Sequence, residues 1–262
     1  MSWTNPPKSY KLSFMDSPDA VITSTQEFEQ WQTKERARLS NPSYLPVLSD
    51  VTNAFTDEDG RPQLAAWFQF IEQPSFVKHE ILTQEYIGEL AKYLKSRIIS
   101  FPPDRPIKIL EIGAGDGRLS YFLQQTLNNP EHFQFIASDI SPVQLIPFPV
   151  ETSDYQASLA KHQPDLVLCS WMARGVDLSQ AIRDCSSVRE YLLIGESDAG
   201  ICGRPWETWG FRSWSIPVPS TAPYLIDKFA RFDLDSCSQY QIARTDTPGE
   251  YFHSNTISFR RL

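Results

Sequence analysis

Three glycines at alternate positions follow a carboxylate in the segment IKILEIGAGDGRLSYFLQQ. The carboxylate is Glu111, which ends an apolar run, and the glycines are Gly113, Gly115 and Gly117. Glycine at this density costs chain entropy, which indicates that another group approaches the backbone closely. An ionised carboxylate at the end of a buried strand is also expensive unless something polar or cationic satisfies it. The pattern therefore predicts a ligand-binding loop.

The spacing of the glycines distinguishes between classes of ligand. A dinucleotide-binding loop has the pattern G-x-G-x-x-G, but Arg118 occupies the third glycine position here. A carboxylate at the strand end would repel a pyrophosphate and attract an ammonium group. The Gly-Lys-Ser/Thr sequence of a Walker loop is absent as well. We therefore expect a ligand with a cationic group near the loop and a ribose nearby.

The elements around the loop alternate between short apolar runs and amphipathic segments. The predicted strands are KILEI, FQFIASDI, DLVLCSW and EYLLIGE, and the helices between them include RLSYFLQQTL and DLSQAIRDCSSV. This alternation is typical of an α/β fold, a doubly wound and mostly parallel sheet with helices on both faces. Further on, YLIDKFARF is predicted to be helical, and QYQIAR and NTISFRR are predicted to form a hairpin that ends the sheet with an antiparallel strand.

The first part of the chain has a different character. Residues 1–22 have no usable periodicity and predict an irregular N-terminal arm. Residues 23–105 predict a helical cap, with helices in STQEFEQWQTKERARL, PQLAAWFQFIE and HEILTQEYIGELAKYLKSR. The last of these has an apolar stripe at Leu82, Tyr86, Leu90 and Leu94, which must pack on something. Residues 106–262 then form the predicted ligand-binding domain.

Composition limits the classes of function. The four cysteines form no CxxC pair, which in a 262-residue chain indicates reduced thiols in a cytoplasmic protein and no zinc site. The formal net charge is −8 and no run of Lys or Arg exceeds a pair, so nucleic acid is not expected as a partner. No apolar run approaches the roughly 20 residues that span a bilayer, so no membrane association is expected.

The segment LEIGAGDGRLS resembles the first motif of the class I S-adenosylmethionine-dependent methyltransferases. The order of predicted elements from residue 107 to residue 262 is similar to theirs. The resemblance implies a seven-stranded sheet and S-adenosyl-L-methionine as the cofactor. It places Glu111 near the amino end of the methionine portion, with the glycines and Ala114 wrapped around it.

The resemblance assigns further cofactor residues. Asp139, which ends FQFIASD and precedes Ile140, matches the acid that accepts hydrogen bonds from the ribose; a helix cap is the alternative role. Asp154 matches less closely the acid that contacts adenine, with Tyr155 beside the ring, and an N-cap is an equally good interpretation. The residues after DLVLC, namely Ser170, Trp171 and Met172, would line the cofactor and begin the substrate pocket. Packing in the core is the alternative for Trp171.

The substrate is expected to contact a segment of unusual composition, GESDAGICGRPWETWGFRSWSIPVPSTAPY. A segment of this length without periodicity usually forms a lid or a binding loop. Its Trp206 and Trp209, with Trp214, would line a pocket, although at least one of them should instead anchor the loop. Acidic groups beside tryptophan faces would suit a cationic or amine-bearing substrate.

The chemistry of transfer leaves few candidates for a base. The Asn/Asp-Pro-Pro-aromatic motif and the paired-glutamate loop of known methyltransferase groups are both missing, and Glu196 and His79 are the candidate bases. The prediction is a methyltransferase acting on a small molecule or a protein side chain. The alternatives are a non-catalytic S-adenosylmethionine-binding subunit that stabilises or activates a partner protein, or another transfer such as aminopropyl transfer. The sequence assigns no oligomeric state.

Overall fold

A computed structural model describes residues 25–72, 79–101, 104–213, 217–249 and 253–262. The strands within these ranges are β1 (Glu80–Ile81), β2 (Ile107–Ile112), β3 (Phe133–Asp139), β4 (Val150–Thr152), β5 (Leu166–Ser170), β6 (Glu190–Gly195), β7 (Phe229–Asp233), β8 (Ile242–Ala243) and β9 (Asn255–Arg261). The helices are α1 (Thr25–Leu39), α2 (Leu48–Ala54), α3 (Leu64–Ile71), α4 (Gln84–Arg97), α5 (Arg118–Leu127), α6 (Tyr155–His162), α7 (Ser179–Asp184), α8 (Pro205–Trp209), α9 (Pro223–Ile226) and α10 (Asp235–Ser238), with a 3-10 turn at Ile98–Ser100.

Seven of the strands form one sheet with the order β4-β3-β2-β5-β6-β9-β7. Neighbouring strands are parallel except at β9, the last strand of the chain, which lies antiparallel between β6 and β7. This arrangement confirms the predicted fold class. The chain leaves β2 towards β3 on one side and returns to β5 on the other, so a crevice opens at the carboxyl ends of β2 and β5.

Alternate residues of the central strands bury opposite faces of the sheet. On β2, Ile107 and Ile109 lie in an apolar cluster with α4 and α5, whereas Leu110 and Ile112 lie in a second cluster on the other face. The same division holds along β5 and β6. Because both faces are covered, these strands appear in the sequence as near-continuous apolar runs.

Helix α4 joins the predicted cap to the sheet. Its stripe of Tyr86, Leu90 and Leu94 is buried in the same cluster as β2, β5 and β6, together with Leu82. The domain boundaries predicted after residues 22 and 105 stay predictions. The helices α1 to α3 enclose a separate cluster around Trp67, which reaches the rest of the chain through Ile81 of β1 and Ile242 of β8.

The C-terminal part differs from the prediction in two respects. The hairpin between QYQIAR and NTISFRR is wrong, because β8 pairs with β1 and β9 pairs with β6 and β7. Burial explains this pairing. Phe259 of β9 stacks on Tyr191 of β6, with ring centroids 4.7 Å apart. If β9 were an edge strand, the Phe259 ring would be covered on one side only. The helix predicted in YLIDKFARF is also wrong in its second half, where β7 begins at Phe229.

Among the described helices, none has both the length and the apolar character needed to cross a bilayer. All four cysteines, namely Cys169, Cys185, Cys202 and Cys237, carry free thiols.

The hydroxyl of Thr83 holds the start of α4 and generates a first prediction. The fully buried oxygen accepts a hydrogen bond from the backbone N–H of Tyr86 and donates one to the carbonyl of Tyr240, both at 3.2 Å. Thr83→Val keeps the shape but leaves both groups unpaired, so we expect urea unfolding to show a loss of about 1 to 2 kcal/mol. Thr83→Ser keeps both hydrogen bonds and should lose less. Equal stability of the valine variant and wild type would contradict this role.

Candidate functional site

A cleft opens where the sheet topology places it, at the carboxyl ends of β2 and β5. Its cavity volume is about 150 Å³. The lining combines the glycine loop with the segment before α4 and the end of β5: His79, Glu80, Leu82, Glu111, Gly113, Ala114, Gly115, Asp116, Arg118, Leu119, Ser170 and Trp171. Six of the predicted cofactor residues, at the ends of β2 and β5 and in the glycine loop, therefore meet in one cleft with the candidate base His79.

The glycines of the loop have two different roles. Gly113 and Gly115 have φ angles of +66° and +59°, and a Cβ at either position would point into open space. At Gly117 a Cβ would lie 2.7 Å from Cγ2 of Val150, so this glycine is required for packing against β4. The sequence predicted that all three wrap the ligand. The structure brings only Gly113 and Gly115 to the open side, and Gly117 is instead the left-handed residue from which α5 starts.

Glu111 is buried beneath the loop, with only 3% of the residue exposed. Its Oε2 accepts hydrogen bonds from the backbone N–H of Ser120, at 3.0 Å, and from the Ser120 hydroxyl, at 2.6 Å. Burial raises the pKa of Glu111 to about 7; the Ser120 hydrogen bonds oppose the shift, and the nearby charges of Asp116 and Asp139 add to it. No described residue donates to Oε1. The carboxylate therefore has the capacity to accept a hydrogen bond from a cationic ligand.

Asp139 supports the loop from the end of β3. Its Oδ2 accepts from the N–H of Gly115 at 2.9 Å, and its Oδ1 accepts from the N–H of Ser141 at 2.8 Å. The second bond closes a turn and is not the helix cap that the sequence offered as the alternative, because no helix lies between β3 and β4. Since each carboxylate oxygen has two lone pairs, both keep capacity for a ribose hydroxyl. Ile140 follows with 73% of its surface exposed and is not part of the cleft lining.

Asp154 and Tyr155 lie at the start of α6, outside the cleft lining. One Asp154 oxygen accepts from the N–H groups of Gln156 and Ala157, both at 2.9 Å, so Asp154 is the N-cap of α6. Tyr155 packs, partly buried, against the second apolar cluster. The adenine contacts predicted for these two residues stay predictions.

Trp171 is held in an unusual backbone conformation at the end of β5. Its φ angle is +55°, a left-handed value that is rare for a bulky residue, and its N–H donates to the carbonyl of Ile194 at 2.7 Å. The indole Nε1 donates to Oε2 of Glu80 at 3.1 Å, and the ring stacks on His79 with centroids 5.6 Å apart. The sequence offered the core and the cleft as alternative positions for Trp171, and the residue occupies both: it packs against the second apolar cluster and it also lines the cleft.

Two residues predicted to bind substrate lie elsewhere. Met172 is 5% exposed and Trp209 is 1% exposed, and both pack in the second apolar cluster. The Trp209 indole donates to the carbonyl of Cys202 at 2.8 Å, which anchors the loop after β6 to the core. Trp206 is partly exposed and lies under the guanidinium of Arg212, 5.7 Å from the ring centroid. Trp214 lies outside the described residues.

The two candidate bases differ in position. Glu196 is 9% exposed and is not part of the cleft lining. Its Oε2 accepts from the N–H of Ile201, and its Oε1 accepts from the hydroxyl of Thr245, so both oxygens stabilise the loop. His79 does line the cleft. It does not open a helix as predicted, because β1 follows it and α4 begins only after Thr83.

Sequence reasoning missed Glu80, which follows His79 and also lines the cleft. Its Oε2 accepts from Trp171, and its Oε1 accepts from Nε2 of Gln241 at 3.0 Å. Burial raises the pKa of Glu80 to about 7; the two hydrogen bonds oppose this shift, and the charge of Asp246 adds to it. The available signal was a single carboxylate directly before the apolar pair Ile81 and Leu82, but no local pattern places it opposite the glycine loop.

Within the described ranges, no group of three or more His, Cys, Asp and Glu side chains is arranged to hold a metal ion. No protein-family model matches the chain, and no curated protein matches it.

Solved structures with a similar arrangement include three methyltransferases. The carbon methyltransferase CurJ is 13% identical with a TM-score of 0.41, covering 90% of this chain and 66% of its own. The magnesium protoporphyrin IX methyltransferase ChlM from Synechocystis PCC 6803 is 12% identical with a TM-score of 0.40, covering 84% and 99%. The plantazolicin methyltransferase BpumL is 11% identical with a TM-score of 0.40, covering 91% and 99%.

The chain spans 66% and 64% of the length of the CurJ and DszA carbon methyltransferases. Identities at this level carry no information about its substrate. The sheet order itself, with an antiparallel last strand and a glycine loop after the first strand of the large sheet, is the architecture that the resemblance to class I S-adenosylmethionine-dependent methyltransferases implied.

Burial of Glu111 predicts a pH dependence of stability. The carboxyl has a pKa of about 7 in the fold against an ordinary value of 4.5, so between these values the folded chain binds the additional proton and the free energy of unfolding falls as pH rises. Glu111→Gln keeps an acceptor for Ser120 and does not titrate. We expect urea unfolding to show this variant gaining stability relative to wild type from pH 5 to pH 8, by up to about 3 kcal/mol.

Glu80 is present in both proteins, so the difference isolates Glu111. The exposed Glu131 provides the control, because Glu131→Gln should follow the pH dependence of wild type. Parallel curves for wild type and Glu111→Gln would contradict the raised pKa.

Proposed function

We propose that the chain is an S-adenosylmethionine-dependent methyltransferase that acts on a small molecule or a protein side chain. The observation that carries the proposal is the single cleft in which the Glu111 strand end, the open faces of Gly113 and Gly115, and the end of β5 converge. This arrangement fits a ligand that presents an ammonium group to a buried carboxylate and lies along exposed backbone.

The residues present fit the cofactor on chemical grounds. The amino group of its methionine portion would donate to Glu111, whose buried charge has no cationic partner among the described residues. The ribose hydroxyls would donate to Asp139, which is already fixed on Gly115. When bound, S-adenosylmethionine supplies an electrophilic methyl group on a positively charged sulfur.

The contribution of the protein is orientation and exclusion of water. The glycine loop is hydrogen-bonded to Asp139 of β3, and α5 begins directly after it, so the wall that would hold the cofactor is connected to β2, β3 and α5. The rest of the lining includes the segment before α4 and the aromatic pair of His79 and Trp171. An acceptor held beside these residues would share the cleft with the cofactor, which would bring the two reactants together.

Titration calorimetry tests cofactor binding directly. Wild type is expected to bind S-adenosylmethionine and S-adenosylhomocysteine at sub-millimolar concentration. Asp139→Ala should weaken both ligands about tenfold or more, since it removes a charged hydrogen-bond acceptor worth roughly 1.5 to 3 kcal/mol. Asp104→Ala, at an exposed site outside the cleft, should bind like wild type. An Asp139→Ala variant with unchanged affinity would remove Asp139 from the site, and a wild type that binds neither ligand would refute the proposal.

A second measurement separates an enzyme from a non-catalytic subunit. S-adenosylmethionine labelled in the methyl group is incubated with the protein and a cell extract, which is then separated into protein and small-molecule fractions. We expect label in one of the two fractions, and less of it with Asp139→Ala. Binding of the cofactor without transfer of label into either fraction would instead indicate a subunit that binds the cofactor for a partner.

A further inference from the structure

We propose that Glu80 binds the methyl acceptor and takes its proton, and that the acceptor is an amine. The inference rests on the proposed function and extends it, because it assigns a role in methyl transfer to a cleft residue outside the glycine loop. Three features of the structure support it: the position of Glu80, the way its carboxylate is fixed, and the charges around it.

The position of Glu80 brings a second element to the cleft that the glycine loop lines. The loop projects from β2, whereas Glu80 belongs to β1, which pairs with β8 outside the large sheet. Both line the same cavity. If the cofactor occupies the wall formed by the loop, the space between it and Glu80 is left for the group that attacks the methyl carbon.

The carboxylate of Glu80 is fixed by donors from two other elements. Trp171 donates to one oxygen and Gln241 to the other. Gln241 is itself oriented, because its Oε1 accepts from the hydroxyl of Thr256 at 2.7 Å and so its Nε2 must face Glu80. The hydroxyls of Thr256 and Tyr86 are 2.9 Å apart, which extends this network to α4. Each Glu80 oxygen accepts one of these hydrogen bonds and keeps capacity for a second, and Glu80 lines the cleft.

Trp171, which donates to Glu80, has a backbone conformation that costs energy. A left-handed φ at a bulky residue is sparsely populated and persists only where surrounding contacts impose it. The same residue presents its ring to the cleft, stacked on His79. An aromatic face next to a carboxylate is a favourable environment for an ammonium group.

The charges around Glu80 favour a cation over a neutral acceptor. In the part of the chain that the structure describes, no Lys or Arg forms an ion pair with Glu80. Asp246 faces it from the turn after β8, and the neutral side chains of Tyr86 and Cys202 face it from α4 and from the loop after β6. Burial, and then the charge of Arg244, lowers the pKa of His79, so its ring is neutral at pH 7 and above.

These groups allow a balanced transfer. The acceptor ammonium first gives a proton to the Glu80 carboxylate, which a pKa of about 7 makes feasible near neutral pH. The lone pair of the resulting amine then forms the nitrogen–carbon bond while the carbon–sulfur bond breaks and its electrons stay on sulfur. The products are a methylated ammonium and a neutral thioether, and the proton on Glu80 leaves to solvent.

The test uses sinefungin, a cofactor analogue in which a carbon bearing an amine replaces the methylsulfonium group, with S-adenosylhomocysteine as the reference ligand. Both ligands present the same ammonium to Glu111, so the ratio of their affinities reports the region around the transferred methyl. At pH 8 wild type should bind sinefungin at least about tenfold more tightly than S-adenosylhomocysteine. Glu80→Gln should remove most of this preference and leave the affinity for S-adenosylhomocysteine within about twofold of wild type.

Glu131→Gln should keep the preference, and Glu80→Asp, which retains the charge, should keep part of it. In wild type the preference should grow from pH 6 to pH 8 as Glu80 ionises. A wild type without preference, a preference that survives Glu80→Gln, or a loss of both ligands in Glu80→Gln would each overturn the role of Glu80. None of these results would affect the proposed function, which depends on binding of S-adenosylhomocysteine by wild type.

The class of acceptor has its own readout in the labelled extract. Label in an amine resists alkaline hydrolysis and is retained on a cation exchanger, and its transfer should fall with Glu80→Gln but not with Glu131→Gln. Label released as volatile methanol by base, or label that passes through the exchanger, would overturn the assignment of an amine while leaving methyl transfer itself in place.

Discussion

The buried carboxylate of Glu111 is the constraint on which the rest of the site depends. It lies at the end of the central strand, where the sheet is covered on both faces, and a charge there is costly without a partner. Ser120 satisfies one oxygen only, from the first turn of α5. This pairing fixes the distance between the end of β2 and the start of α5, and therefore the shape of the glycine loop between them. A chain selected for stability alone would place an apolar residue here, so the persistence of the charge points to a ligand.

The topology converts this local feature into a cleft. Because β3 and β5 flank β2 on opposite sides, the loops that follow the three strands diverge and leave their carboxyl ends open. Asp139 from β3 reaches back to Gly115, and Trp171 from β5 reaches forward to Glu80. The small pairing of β1 with β8 closes the side that the large sheet leaves open. The predicted helical cap thus contributes His79, Glu80 and Leu82 to the cleft, and none of the residues of its own apolar cluster around Trp67.

Local patterns in the sequence predicted the parts of the molecule that depend on neighbours along the chain. The strand, loop and helix around Glu111 followed from apolar runs and glycine spacing, and the stripe of α4 followed from its period. The prediction that depended on distant pairing failed, because β9 pairs with β6 and β7 instead of closing a hairpin. Trp209 takes the anchoring role that the sequence expected for at least one of the loop tryptophans, but no local pattern showed which of them it would be. Glu80 was missed for the same reason, because its partners Trp171 and Gln241 are distant in sequence and no periodicity links them.

Two carboxylates with raised pKa values in one cleft have opposite consequences for the fold and for chemistry. Each destabilises the folded chain above its ordinary pKa, because burial holds it away from water and no described Lys or Arg pairs with it. The position of each carboxylate gives it a role that offsets this loss of folding stability. Glu111 is almost fully buried beneath the loop, so a ligand ammonium that reached it would supply the positive charge that no described residue supplies. Glu80 lines the same cleft from another element, and its pKa of about 7 suits the proposed binding of a cation and acceptance of its proton. In the two proposals, the same type of side chain thus binds the cofactor on one element and takes a proton on the other.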